Sequence, residues 1–212
     1  MTINKVTLGA IAALLIAVFV FASNWYKAEQ TPTLSEAPMA APLIRPYSPT
    51  LGPDGAAVTL VEFFDPECES CRAMYPIVKQ VMAEFEGQVK LVIRYQPLHQ
   101  NSVYAASLLE AARVQGRYWE YLDVVMQRQP EWASHAAPRP DLLLTYAPMV
   151  GLDADQLRAA ATNPEIRTRI EQDARDGQAV GADRTPTFFI NGQMLSQLGY
   201  AQLRAAIQTH VR

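Results

Sequence analysis

The four residues Cys68-Glu69-Ser70-Cys71 contain both cysteines of the chain. Residues three apart on a helix share a face and lie about 5–6 Å from each other, within reach of a disulfide that forms without moving the backbone. A bridge across so short a loop stabilises little by restricting the unfolded chain, so the pair reads as a bond that opens and closes. Cys68 falls where a helix is expected to begin, and there unpaired backbone N–H groups and the positive end of the macrodipole favour a thiolate. Cys71, one turn further in, is expected to be the sheltered thiol. One exposed nucleophile and one buried resolver make a dithiol exchange site. A substrate thiolate attacks Cys68 of the oxidised pair and releases Cys71; in reverse, Cys68 attacks a substrate disulfide and Cys71 resolves it.

Other chemistries have less behind them. A zinc site needs further Cys or His ligands in pairs, whereas His99, His135 and His210 are scattered and read as surface or satisfied side chains. No metal site is expected. A metal-handling, copper-type, or chaperone-like dithiol binding protein stays as an alternative of another class, although the methionines show no Met-x-x-Met clustering. The formal net charge is -3 and no basic run occurs, so nucleic acid is not an expected partner. The redox-active disulfide itself is the only cofactor implied.

The elements that must hold this site are legible around it. Val58 to Phe64 is an almost unbroken apolar, β-rich run, as expected of a strand covered on both faces. Glu62 interrupts it, and a carboxylate there is costly unless it has a task. Asp65-Pro66-Glu67 turns the chain into a helix running from Cys68 to about Phe85, with a kink at Pro76 and an end at Gly87. Lys90 to Tyr95 gives a second strand, completing a parallel strand-helix-strand unit. From about residue 100 to 181 the period is helical: Val103 to Val114, Tyr118 to Gln127, Asp141 to Met149, Asp153 to Ala161 behind an Asp153 N-cap, and Pro164 to about Ala179. Strands return at Thr187 to Ile190 and Gln193 to Leu195, joined by Asn191-Gly192 as a hairpin. A last helix covers Tyr200 to His210.

Two segments precede the domain. Val6 to Ala22 is an apolar run of 17 residues, trailed by Trp25 and Tyr26, longer than a usual signal-peptide core and near the lower limit of a bilayer span. It is read as an N-terminal transmembrane anchor over residues 1–27, with a cleaved signal peptide as the competing reading; either exports the rest of the chain. Residues 28–54 form a Pro-rich linker expected to run extended, although Leu43 to Tyr47 could instead lie along the domain as an ordered arm. Residues 55–212 form the domain.

This α/β layout resembles the thioredoxin superfamily, and within it the DsbA-like periplasmic thiol:disulfide oxidoreductases. The resemblance rests on the dithiol at a strand-to-helix junction, on Pro76 five residues after Cys71, on Glu62 six residues before Cys68, and on Thr185-Pro186-Thr187-Phe188-Phe189 before the Asn-Gly hairpin. It implies a thioredoxin fold with a helical insertion, and a buried acid at Glu62 that shuttles a proton to or from Cys71. It also implies a cis Pro186 beside the sulfurs, with Thr185 presenting backbone to an extended substrate peptide. From the residues alone, Pro186 could be an ordinary turn proline and Glu62 could reach out from a strand end. The resemblance further implies exported proteins with cysteines as substrates, a location on the periplasmic face of the bacterial inner membrane, and a membrane redox partner, either a quinone-linked oxidase or an electron-donating reductase. A monomer is expected rather than a dimer.

Strongly oxidising members of that family commonly carry Pro-His between the cysteines. Here the pair is Glu69-Ser70, with Asp65 and Glu67 close by. Each exposed carboxylate disfavours a neighbouring thiolate by about half a kcal/mol, so the expected poise is less oxidising than that of the strong oxidants. Disulfide reduction or isomerisation is the alternative direction.

Overall fold

The computed structural model describes residues 5–30, 34–36 and 42–211. Linker residues 31–33 and 37–41, Pro32 and Pro38 among them, lie outside these. In chain order the elements are α1 (Lys5–Gln30), β1 (Leu34–Glu36), β2 (Thr50–Leu51), β3 (Val58–Phe64), α2 (Glu69–Glu84), β4 (Val89–Tyr95), α3 (Ser102–Val114), α4 (Tyr118–Gln127), α5 (Gln129–Trp132), α6 (Leu142–Tyr146), α7 (Ala154–Ala161), α8 (Pro164–Ala179), β5 (Thr187–Ile190), β6 (Gln193–Leu195) and α9 (Tyr200–Gln208). The predicted helix over 141–149 is split: α6 passes into a single 3-10 turn, Ala147–Val150, with Pro148 in it and Gly151 in the left-handed region behind it.

The strands form one mixed sheet in the order β1-β6-β5-β3-β4-β2. Only β3 and β4 are parallel, joined through α2; β5 runs antiparallel to β3, and β6 to β5. The hairpin turn uses Asn191 and Gly192, both at positive φ, as a two-residue connection demands. Because side chains alternate across a strand, β3 divides two cores. Val58, Leu60 and Phe64 face the larger one with Val78 and Val81 of α2 and with the helical insertion. Val61 and Phe63 face the smaller one with Val92, Phe189 and Val180. Over this second face α8 crosses so closely that a Cβ on Gly177 would stand 3.0 Å from the Phe63 ring.

The start of the sequence departs from expectation in two places. The predicted transmembrane anchor is not supported: α1 is a helix with exposed Leu14, Phe19 and Trp25, yet among the described residues no helix is long and apolar enough to cross a membrane. The end of the linker, in contrast, lies on the domain. Buried Arg94 donates to the carbonyls of Pro42 and Leu43 and pairs with Asp173 and Asp176 of α8. Arg45 forks onto Asp176, and Tyr47 donates to Asp173 at 3.0 Å. Beyond that arm, β2 pairs with β4.

Candidate functional site

Cys68 is the N-cap of α2, in extended conformation, and no side chain caps the first turn. The orphan N–H groups of that turn are therefore available to the sulfur. The Cys68 thiol is buried at 8% exposure and Cys71 at 0%, so the predicted order of shelter holds, although Cys68 is less exposed than its position in the sequence suggests. Both are free thiols. The Thr185–Pro186 peptide bond is cis, and the Thr185 carbonyl accepts from the Cys68 thiol at 3.4 Å. Residues 117 positions apart thus meet at one sulfur.

The electrostatics of the pair are lopsided. A hydrogen bond from Cys71 lowers the Cys68 pKa most, against an opposing effect of burial, and the Thr185 side chain with the N–H groups of Cys71 and Ser70 brings it to about 5. Cys71 moves the other way. Burial pushes it well above the usual thiol range, and its bond to Cys68 and the Glu62 charge add to that, opposed by the Asp65 N–H, which lies 3.5 Å from its sulfur. Glu62 is buried beneath the pair. Burial, reinforced by the charge on Cys68, raises its pKa to about 8, so this carboxyl holds its proton at neutral pH. It lines a cavity of ≈ 170 Å³ whose wall also includes Tyr75, Lys79 and Asp123. Lys79 and Asp123 form a partly exposed ion pair.

The loop that carries the cysteines is held from outside. Gln129 of α5 donates to both Pro66 O and Cys68 O, at 2.8 and 2.9 Å. Glu67 accepts from the backbone and side chain of Asn101. The Asp65 carboxylate, fully buried, accepts from Glu67 N and Leu98 N and meets His99 Nδ1 at 2.7 Å. The ring of His135 lies 6.2 Å from that of His99, and His135 Nε2 is 3.8 Å from Glu69.

Sequence reasoning missed these supports. It treats Asp65 and Glu67 as free negative charge beside the sulfurs and His99 and His135 as unrelated. In the fold both carboxylates are hydrogen-bonded and buried, and the two imidazoles lie side by side, His99 on Asp65 and His135 beside Glu69. No local signal pairs residues 34 positions apart, although a polar run, His99 to Ser102, directly after a buried strand could have marked the loop. His210, in contrast, is at the far C-terminal end of α9, where its N–H bonds Ile207 O.

Comparison with known proteins agrees with this geometry. Residues 45–209 match the family described as Thioredoxin. A Na(+)/H(+) antiporter NhaA of Herminiimonas arsenicoxydans is 38% identical over 144 residues, covering 68% of this chain but only 22% of its own length. The chain thus spans about a fifth of the length of that curated relative. A thioredoxin-like oxidoreductase from Silicibacter pomeroyi DSS-3 is 30% identical, with a TM-score of 0.68 over 79% of this chain and 94% of that one. The thiol-disulfide exchange protein alpha-DsbA2 from Wolbachia pipientis shares the fold, at 21% identity and a TM-score of 0.66 over 76% of this chain and 86% of its own. From its sheet, its inserted helices and these matches, the chain belongs to the thioredoxin family, in the DsbA-like arrangement.

Proposed function

We propose that the chain is a thiol:disulfide oxidoreductase that exchanges dithiols and disulfides with exported proteins through Cys68 and Cys71. One observation carries the reading: two free thiols a turn apart are placed unequally, Cys68 at the mouth of α2 against the Thr185 carbonyl before a cis Pro186, Cys71 fully buried behind it. A structural cysteine pair has no use for that asymmetry.

In the oxidising direction a substrate thiolate attacks Cys68 Sγ, the Cys68–Cys71 bond breaks, and Cys71 leaves as a thiolate that takes the Glu62 proton. A second substrate thiolate then attacks the mixed disulfide at the substrate sulfur. The substrate leaves oxidised, and Cys68 stays as the favoured thiolate. Glu62 is reprotonated through the cavity it lines together with Lys79 and Asp123. Thr185 and Pro186 receive the substrate backbone as an added strand, so that recognition depends little on sequence.

A Cys68 pKa of about 5 falls between those of thioredoxin, about 7, and of DsbA, about 3.5. The proposed poise is accordingly intermediate, less oxidising than the strong oxidants, and Glu69, which stays exposed beside the pair, acts in that direction. Recharging by a quinone-linked oxidase, or by an electron-donating reductase if the protein reduces or isomerises, belongs to this proposal, as do an extracytoplasmic location and a monomeric state.

The test is a trap. Cys71→Ser removes the resolving thiol and is expected to accumulate mixed disulfides between Cys68 and client proteins, released by dithiothreitol. Absence of such adducts, with Cys68 freely alkylated, would reject exchange in favour of a metal-handling or chaperone-like binder.

A further inference from the structure

Asp65 touches all three groups that matter around the sulfurs. Its carbonyl accepts the Cys68 N–H at 3.1 Å, its N–H meets Cys71 Sγ at 3.5 Å, and its carboxylate holds His99 Nδ1 at 2.7 Å. That carboxylate is fully buried and also accepts two backbone N–H groups, Glu67 and Leu98, so its orientation is fixed. A ring held at Nδ1 by such an acceptor has its tautomer and plane set, with Nε2 left as the free position. The ring is about one-third exposed, near enough to solvent to exchange protons and buried enough for its charge to be felt.

We infer that His99 is a positioning residue for the Cys68 thiolate: oriented by Asp65, its imidazolium supplies from the β4–α3 loop the positive charge that Glu69-Ser70 does not supply from between the cysteines. This rests on the exchange reading of the site and deepens it. The His99 ring meets Asp65 at 2.7 Å and lies 6.2 Å from the ring of His135, which reaches Glu69 in turn; the charges of Cys68 and Glu67, on the same β3–α2 loop as Asp65, also act on it. Burial of the ring opposes protonation, but the hydrogen bond and charge of Asp65, followed by the charges on Cys68 and Glu67, raise the His99 pKa. Because coupling between two sites is reciprocal, a thiolate that favours the imidazolium is favoured by it to the same extent.

Reciprocity makes the inference measurable in two ways. Ring titration of His99 is followed by NMR in the reduced protein and in Cys68→Ser, with His135→Gln and His210→Gln used for assignment. The pH dependence of Cys68 alkylation is followed in the parent and in His99→Gln. The His99 midpoint is expected to fall when the thiolate is removed, and the Cys68 midpoint to rise when the imidazole is removed. Each shift should be about half to one pH unit, the reach of one charge at a half-buried site. In a glutathione buffer His99→Gln should then hold its disulfide form about threefold to tenfold more readily. Equal His99 midpoints with and without the thiolate, or an unmoved Cys68 midpoint, would overturn the inference. The ring titration decides it in the native chain even if His99→Gln does not fold. Failure of the parent to equilibrate with glutathione would reject the exchange reading instead, and the alkylation and titration data would still decide the role of His99.

Discussion

Gln129 and Cys68 are joined by a hydrogen bond of 2.9 Å from the Gln129 side-chain amide to the Cys68 carbonyl, and the same nitrogen reaches Pro66 O at 2.8 Å. The donor belongs to the helical insertion and the acceptors to the thioredoxin sheet-to-helix junction. The insertion is thus part of what aims the dithiol, as well as a cover over one face of the sheet.

Removing that clamp leaves the Pro66 carbonyl without the Gln129 donor, while Cys68 O keeps the Arg72 N–H at 3.1 Å; an unsatisfied buried acceptor costs about 1–3 kcal/mol. Gln129→Ala is expected to lower the unfolding free energy by that amount in a urea titration. It should also broaden the pH profile of Cys68 alkylation, because the N–H groups of Ser70 and Cys71 lose their fixed direction toward the sulfur. Gln129→Glu brings an acceptor to acceptors and should fare worse than the alanine variant.

Glu62 gives a prediction whose sign follows from linkage. Its pKa is near 8 in the folded protein and ordinary in the unfolded chain, so between roughly pH 4.5 and 8 the folded state holds a proton that the unfolded state has lost. Stability attached to this group is complete below that window and declines as pH rises through it. Glu62→Gln should match the parent near pH 4 and exceed it by up to about 5 kcal/mol near pH 9. It should also slow the resolution of mixed disulfides. Thermal melts across pH, set beside stopped-flow exchange rates, check both halves; a variant that is less stable at every pH would contradict the assignment.

Thiol reactivity should separate the two cysteines sharply. Iodoacetamide modification of the reduced protein is expected to occur at Cys68 alone, with a midpoint near pH 5, and to leave Cys71 untouched until the chain unfolds. Mass spectrometry of the alkylated protein reads this directly. Equilibration with glutathione should place the potential between about −270 and −120 mV, and a value at the oxidising end would reject the intermediate poise.

Arg94 is a structural counterpart on the other face of the sheet. It is fully buried, pairs with Asp173 and Asp176, and donates to the carbonyls of Pro42 and Leu43. Arg94→Ala leaves the buried Asp173 carboxylate without its cation and Asp176 with Arg45 alone, and should destabilise the domain by about 3–5 kcal/mol. Arg94→Met, which fills the volume but leaves the same carboxylates, should recover little of that. Arg45→Ala acts at the exposed edge of the same cluster and should free the arm in hydrogen exchange while leaving the dithiol unchanged.

The sequence and the structure agree most closely where periodicity or turn chemistry is local. Val58 to Phe64, the Asn191-Gly192 hairpin and the helices of the insertion stand within a few residues of where apolar spacing and caps place them. Cys68 and Cys71 were legible because their spacing alone implies a shared helix face. What escaped depends on contacts between distant residues: a polar loop after β4 folding back on Asp65, and a glutamine in a four-residue helix reaching Cys68; the arm at Leu43 to Tyr47 is legible as an alternative to an extended linker, but its partners beyond residue 165 are not. Charge was the least transferable reading. Asp65 and Glu67 look like repulsion near a thiolate when counted along the chain, yet in space their carboxylates accept from Glu67 N, Leu98 N, His99 and Asn101.

The sheet is flanked on either side by short strands from the segment that precedes the domain, β1 on β6 and β2 on β4. An open flank is a template on which any extended chain can settle. With both flanks taken by short strands of its own N-terminal segment, the long central strands present no bare edge to a second chain.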